Sequence, residues 1–206
     1  MYKNFLNISD LNKNDILDIL ETANRIENKS LDIDLNKKKI GLIFEKPSTR
    51  TRLSFISGIH ELSGVPIEID TRNLNLSRNE SFIDTVKMFN LYLDCIILRT
   101  NDHNKFSIMK NYFDKTVINA LSDISHPCQI LSDYYTLIET FDKKEFDICW
   151  FGDINNVLYS LVDLSKVVGS IKINIFTDKS LINKNFLKNA KNVSIYNKIS
   201  RDILSK

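Results

Sequence analysis

Short apolar runs rich in β-branched residues alternate along the chain with longer amphipathic stretches. The short runs predict strands at 40–44, 65–69, 95–98, 116–119, 146–151, 171–176 and 193–196. The stretches between them predict helices near 50–62, 81–92, 103–113, 127–141, 156–168 and 180–190, followed by a final helical turn. An opening helix after the polar Ser9-Asp10 is indicated by apolar residues at helical spacing: Ile16, Leu17, Leu20 and Ala23. This alternation is typical of an α/β fold, in which crossover helices connect parallel strands.

A charged step, Asp142-Lys143-Lys144-Glu145, separates the longest predicted helix from a new strand. We place a domain boundary there and predict two doubly wound parallel-sheet domains, 1–141 and 142–206. A parallel sheet normally has both faces covered, and the second unit has only three predicted strands. We therefore expect this second domain to be truncated.

Overall charge and composition exclude several classes of partner. The net charge is only +2, from 28 basic and 26 acidic residues, so no global field attracts nucleic acid or an anionic membrane. The N-terminus lacks an apolar signal core, and no apolar run approaches the roughly 18 residues of a membrane span. The histidines and the three cysteines, Cys95, Cys128 and Cys149, lack the spacing of a zinc site. We expect a cytoplasmic protein with reduced thiols, no metal and no cofactor.

The stretch FEKPSTRTRLSF, residues 44–55, gathers anion-binding side chains where a predicted strand gives way to a helix. The first turn of such a helix presents unpaired backbone N–H groups and a partial positive charge. Hydroxyl groups add hydrogen bonds to phosphate oxygens, and a guanidinium binds two of those oxygens in parallel. The candidate residues are Ser48, Thr49, Arg50 and Thr51. The alternative is an ordinary capped helix that begins at Pro47 and Ser48.

Two further segments follow predicted strands at what would be the same edge of the sheet. His126 and Gln129, in SHPCQ, come after the fourth strand, and Arg99 ends the third. Open parallel sheets bind ligands at the carboxyl ends of their strands. The histidine is able to donate to a carbonyl oxygen, and the glutamine amide to hold an adjacent amine. Each residue also has a structural interpretation, as a helix-start residue or as a surface charge.

Together, FEKPSTRTR, LRT and HPCQ resemble, in this order and at these separations, the carbamoyltransferases that use carbamoyl phosphate. INALSDISHPCQILSDYYTL and NLNLSRNES are similar to the ornithine type rather than the aspartate type, and the resemblance covers nearly all of residues 5–200. It implies that the phosphate is contacted by Ser48, Thr49, Arg50 and Thr51. It implies that the carbamoyl group is held by the catalytic residues Arg99, His126 and Gln129.

The resemblance also implies contacts outside these motifs. Asn75 corresponds to a residue that reaches the site of a neighbouring subunit in a homotrimer. Asn156, in WFGDINNVLYS, matches a residue that contacts the α-amino and carboxylate end of ornithine. Without the family context, an asparagine pair after a strand is a common helix cap, and Gly152-Asp153 lacks the glycine pattern of a dinucleotide site.

Beyond Lys206 the family would continue with an Asp-x-Trp-x-Ser-Met-Gly segment, a His-Cys-Leu-Pro segment and a long C-terminal helix. The sequence contains none of these, so we expect it to keep the carbamoyl phosphate half of a site and to turn over poorly. A fragment, a degraded gene product and a piece completed by another polypeptide all stay open. The leading hypothesis is an ornithine carbamoyltransferase that makes citrulline and phosphate in arginine metabolism. The alternatives are a carbamoyltransferase for another amine, such as aspartate, and a catalytically silent carbamoyl phosphate-binding module that associates with a complete homologue.

Overall fold

Two parallel sheets organise the protein in the computed structural model, which describes residues 4–73, 80–178, 187 and 190–196. The first sheet comprises β1 (Lys39–Phe44), β2 (Val65–Ile69), β3 (Cys95–Arg99) and β4 (Thr116–Leu121), in the order β2-β1-β3-β4. The second comprises β5 (Phe146–Phe151), β6 (Ile171–Phe176) and β7 (Val193–Tyr196), in the order β5-β6-β7. Every pairing is parallel, so the predicted α/β class with parallel sheets is confirmed.

Helices connect the strands, as the sequence pattern predicts. They are α1 (Lys13–Glu27), α2 (Arg50–Glu61), α3 (Phe82–Tyr92), α4 (Asn104–Tyr112), α5 (Pro127–Phe141) and α6 (Asn156–Val168). The predicted helix near 180–190 lies almost entirely outside the described residues, and the final helical turn lies wholly outside them. Within the described ranges, no helix is both long enough and apolar enough to cross a bilayer.

Several element boundaries differ from the sequence prediction by a few residues, and two of them are informative. Ser9-Asp10 belongs to a short 3-10 turn, and α1 begins three residues later at Lys13, where Asn12 and Asp15 form a reciprocal capping box. Strand β3 continues through Arg99, one residue beyond the predicted end. Arg99 pairs with Phe44 of β1 and, after a register shift, with Leu121 of β4. The second difference matters for function, since it fixes Arg99 in the sheet rather than in a loop.

Apolar side chains fill both faces of the first sheet. Ile43, Ile96 and Leu98 pack with residues of α3 and α4 on one face, and Leu42 and Ile97 pack with α2 on the other. The chain leaves β1 for β2 on one side, whereas β3 lies on the other side of β1. The carboxyl ends of β1 and β3 therefore flank the switch point where open α/β sheets bind ligands.

A third apolar cluster joins α1 and α5 to the second sheet. Ile16 of α1 and Tyr134 of α5 pack in it with Leu158 of α6 and Ile173 of β6. Helix α5 ends at Asp142, whose left-handed backbone (φ 48°, ψ 42°) turns the chain toward β5. The predicted division into 1–141 and 142–206 falls between the two sheets and stays a prediction.

Candidate functional site

A cleft of about 1050 Å³ opens at the carboxyl edge of the first sheet. Its lining residues come from the start of α2, the ends of β3 and β4, and the first turns of α5: Pro47, Ser48, Thr49, Arg50, Thr51, Ser54, Phe55, Arg99, Leu121, His126, Cys128, Gln129 and Ser132. Seven of the nine predicted site residues are among them. Strand register explains this convergence, because Phe44 lies beside Arg99 and the strands end together.

The first turn of α2 is not closed by an ordinary side-chain cap. Thr49 occupies the N-cap position with helical dihedral angles, φ −85° and ψ −60°, and its side chain makes no capping hydrogen bond. The Ser48 hydroxyl instead accepts a hydrogen bond from Arg99 Nη1 at 3.3 Å. The capped-helix alternative therefore does not describe this turn, whose residues Thr49, Arg50 and Thr51 line the cleft. The start of a helix carries backbone N–H groups without an intrahelical partner and a partial positive charge.

The two arginines of the STRTR segment have different surroundings. Arg50 lines the cleft. Arg52 lies outside the lining, with its Nε 3.2 Å from Glu68 Oε2 and its guanidinium 5.6 Å from the centre of the Phe44 ring. Arg50 is therefore the guanidinium that is available to a ligand in the cleft, and Arg52 holds α2 to the sheet.

Arg99 carries an unsatisfied donor at the floor of the site. Its Nε is buried and has no hydrogen-bond partner among the residues that the structure describes. Buried donors are almost always paired, and the exceptions are concentrated at functional positions. Because Nε is closed to solvent while Arg99 lines the cleft, a ligand oxygen there would meet the terminal nitrogens of the guanidinium.

Glu45 contacts the backbone of Arg99, and the sequence analysis did not identify this residue. The Glu45 N–H donates to the Arg99 carbonyl oxygen at 3.0 Å. Its carboxylate accepts from Thr100 Oγ at 2.6 Å and from Lys105 Nζ at 2.5 Å. The signal in the sequence is a carboxylate placed directly after an apolar strand, and the partners that give it meaning lie more than fifty residues away.

His126 is held as a neutral imidazole. It is the N-cap residue of α5, is 9% exposed, and has no hydrogen-bond partner for its buried Nδ1 within the described part of the chain. Burial, and then the positive charge of Arg99, lower the pKa of His126 to about 4. A neutral ring offers one donor and one acceptor, so it is able to donate to a carbonyl oxygen near neutral pH.

The depressed pKa of His126 predicts a loss of stability in mild acid. The unfolded chain takes up this proton near the ordinary pKa of 6.5, whereas the folded chain resists it until about pH 4. The stabilisation is therefore complete above pH 6.5 and is lost as the pH falls toward 4. Urea unfolding over this range should show a steeper pH dependence for the native protein than for His126→Gln. The exposed His60 gives a control, since His60→Gln should keep the native slope, and equal slopes for both variants would contradict the prediction.

Gln129 and Cys128 occupy the first turn of α5. Gln129 Nε2 donates to Asp133 Oδ1 at 2.7 Å. The amide oxygen takes no part in that bond, and it is the acceptor that an amine requires. Burial raises the pKa of the Cys128 thiol to about 12, and its Sγ donates to the Asn119 carbonyl oxygen at 3.4 Å. This thiol is protonated near neutral pH and is not a nucleophile.

Of the other two predicted site residues, Asn156 is not among the residues that line the cleft. Asn156 is the first residue of α6, and its Nδ2 donates to the Ser122 carbonyl oxygen at 2.7 Å. Asn155, the preceding residue, is the helix cap, since its Oδ1 accepts from the N–H groups of Val157 and Leu158. Asn75 lies outside the described residues. The roles of Asn156 and Asn75 stay predictions.

Metal-binding side chains do not converge in this site. Across residues 4–73, 80–178 and 190–196, no group of three or more histidine, cysteine, aspartate or glutamate side chains is placed to hold a metal ion. The chemistry of the cleft is that of hydroxyl, guanidinium, imidazole and amide groups.

Comparison with known proteins shows which family this chain resembles. Residues 3–139 match the sequence model of the aspartate/ornithine carbamoyltransferase carbamoyl-P binding domain. An ornithine carbamoyltransferase from Prochlorococcus marinus subsp. pastoris is 38% identical over 168 residues, which are 81% of this chain and 54% of that protein. The chain thus spans about half the length of the curated relatives it matches.

Solved structures agree with the sequence comparison. The anabolic ornithine carbamoyltransferase from Campylobacter jejuni superposes with a TM-score of 0.86 at 30% identity, over 94% of this chain and 67% of that one. The catalytic subunit of M. jannaschii aspartate transcarbamoylase gives a TM-score of 0.83 at 29% identity, over 97% and 69%. The sequence match covers more than half of this chain and includes every residue that lines the cleft. This chain therefore belongs to the aspartate/ornithine carbamoyltransferase family.

Proposed function

We propose that the cleft binds carbamoyl phosphate, with the phosphate at the first turn of α2. The observation that carries this proposal is the convergence of Ser48, Arg50 and Arg99 on one cleft at the switch point of the sheet. The helix start supplies N–H groups, the hydroxyls supply further hydrogen bonds, and Arg50 supplies a two-oxygen fork. These groups suit a dianion better than they suit a neutral ligand.

The carbamoyl group would lie between the phosphate and the start of α5. Arg99, which lines the cleft, and the neutral ring of His126 provide donors for its carbonyl oxygen, and Gln129 provides an acceptor for its amine. In the reaction, a neutral amine attacks the carbonyl carbon and negative charge develops on the carbonyl oxygen. The C–O bond to phosphate then breaks, phosphate leaves with the electron pair, and the attacking nitrogen loses a proton. Donors fixed in advance around that oxygen stabilise the charged intermediate.

For the acceptor amine we propose ornithine, so that the products are citrulline and phosphate and the reaction belongs to arginine metabolism. Support comes from the relatives named ornithine carbamoyltransferase, such as the one from Prochlorococcus marinus. Asn156, at the start of α6, would then serve the amino-acid end of ornithine. A homotrimer, which the family resemblance of the first 141 residues implies, is part of this proposal, and so is a location in the cytoplasm.

One observation supports aspartate as an alternative acceptor of the carbamoyl group. The M. jannaschii aspartate transcarbamoylase structure is nearly as similar to this chain as the Campylobacter jejuni ornithine carbamoyltransferase structure is, with TM-scores of 0.83 and 0.86 and identities of 29% and 30%. The groups that line the cleft are those that a carbamoyl phosphate site requires, whichever amine attacks. Aspartate is therefore the alternative substrate.

Binding and turnover need separate experiments, because the chain spans about half the length of its curated relatives. Titration calorimetry with carbamoyl phosphate tests the site, and product analysis with ornithine, aspartate or putrescine tests the acceptor. Binding with citrulline formation supports the ornithine reaction, and binding with carbamoyl aspartate supports the alternative. Binding without any product identifies a catalytically silent module. Absence of carbamoyl phosphate binding overturns the proposed site.

A further inference from the structure

A buried serine on α6 holds the backbone of His126. Ser160 is 2% exposed, and its Oγ accepts a hydrogen bond from the His126 N–H at 2.8 Å. The same Oγ donates to the Asn156 carbonyl oxygen at 3.1 Å and lies 3.4 Å from Ser125 Oγ. One hydroxyl therefore joins the helix that follows β5 to the loop that carries a cleft residue.

The bonding pattern fits the capacity of a serine hydroxyl. A helical serine commonly donates its proton to the carbonyl oxygen four residues earlier, and Ser160 does so with Asn156. Two lone pairs then remain for incoming donors. The His126 N–H donates to one of them. This N–H needs such a partner, because N–H groups at the start of a helix have no acceptor within the helix.

The rest of the loop is fixed by short contacts of its own. The Ser122 N–H donates to the Ser125 carbonyl oxygen at 2.8 Å, and the Ser125 N–H donates to Ser122 Oγ at 3.1 Å. His103 Nδ1 lies 2.8 Å from Ser122 Oγ, and Asn156 donates to the Ser122 carbonyl oxygen. Ser160 adds a contact to His126, the last residue of this loop before α5. His126 itself has an irregular backbone, φ −136° and ψ 66°, which the helix alone does not dictate.

We propose that Ser160 is a positioning residue that orients the His126 imidazole in the cleft by fixing its backbone. Loss of the hydroxyl would leave a buried N–H without a partner, and the loop would shift to expose it to water. The imidazole would shift with the loop, away from its enclosed place near Arg99. The effect on ligand affinity rests on the proposed carbamoyl phosphate site, whereas the effect on the titration of His126 does not.

The chain offers a matched control on the same helix. Ser165 is 1% exposed and donates its hydroxyl proton to the Val162 carbonyl oxygen at 2.9 Å. Ser165→Ala therefore removes an equally buried hydroxyl from α6 without touching the His126 loop. We expect Ser160→Ala to raise the pKa of His126 by about one unit and Ser165→Ala to leave it unchanged. Imidazole nitrogen shifts in NMR, assigned with His126→Gln, measure that pKa.

Carbamoyl phosphate calorimetry gives the second readout. Ser160→Ala should weaken binding by about tenfold, and Ser165→Ala should not. Equal behaviour of the two variants in the His126 titration would overturn the positioning role. A shift of the His126 pKa in Ser160→Ala alone, in a protein that does not bind carbamoyl phosphate, would support the positioning role and overturn the proposed ligand.

A measurement on the native protein covers the case in which Ser160→Ala does not fold. The His126 amide should exchange its hydrogen at least about 100-fold more slowly than an unprotected amide, because its partner is a buried hydroxyl. Exchange at the unprotected rate would show that the bond to Ser160 does not hold this backbone, and it would overturn the proposal without any variant.

Discussion

Replacement of Arg50 by lysine is expected to weaken carbamoyl phosphate binding by about tenfold or more, although the charge is kept. Arg50 lines the cleft beside the first turn of α2, where a planar guanidinium is able to bind two phosphate oxygens in parallel. An ammonium group is a point charge and reproduces only part of this geometry. Calorimetry measures the change in affinity for carbamoyl phosphate. The ionic strength must be the same for both proteins, because salt screens the attraction between exposed charges and the ligand.

Arg52 supplies the matched control for this experiment. It lies two residues away on the same helix, but it pairs with Glu68 and lies against Phe44, outside the cleft. Arg52→Lys should therefore leave the affinity for carbamoyl phosphate within about twofold of the native value. Equal loss of affinity in both variants would mean that the guanidinium of Arg50 has no specific role in binding. Unchanged affinity in Arg50→Lys would show that the phosphate does not bind to Arg50.

The fold is largely readable from the sequence because each strand is a short apolar run between polar turns. Parallel strands buried on both faces produce this pattern, and all seven described strands occur where it predicts them. The end of β3 shows the limit. Arg99 is polar and breaks the apolar run, yet pairing with Phe44 of β1 and Leu121 of β4 keeps it in the strand. Backbone pairing, rather than side-chain polarity, decides such an end.

The candidate site is readable where the motif itself supplies the ligand-binding groups. The sequence places both Arg50 and Arg52 at the start of one helix, but only tertiary packing shows that Glu68 engages the second. Glu45 and Ser160 were missed for a related reason. Their partners, Lys105 and His126, lie far away in the sequence, so a carboxylate after an apolar strand or a serine within a helix does not by itself identify the residue that it contacts.

Arg99→Met should have the largest effect on carbamoyl transfer, with a loss of about 100-fold or more in rate. Methionine reaches only as far as the position of Nε, so it keeps the stem of the side chain and removes the donors, including the buried Nε that has no partner in the described structure. The bond to Ser48 is lost as well, so carbamoyl phosphate affinity should also fall. Citrulline formation from ornithine measures the rate, and calorimetry measures the affinity.

A readout independent of turnover comes from His126. The positive charge of Arg99 is one of the two causes that lower the pKa of His126, so Arg99→Met should raise that pKa toward 6.5. Arg72, which pairs with Asp70 outside the cleft, is the control for loss of one arginine. Arg72→Met should alter neither the His126 titration nor carbamoyl phosphate binding. A His126 pKa that stays near 4 in Arg99→Met would show that burial alone sets it, and an unchanged affinity would place the carbonyl oxygen away from Arg99.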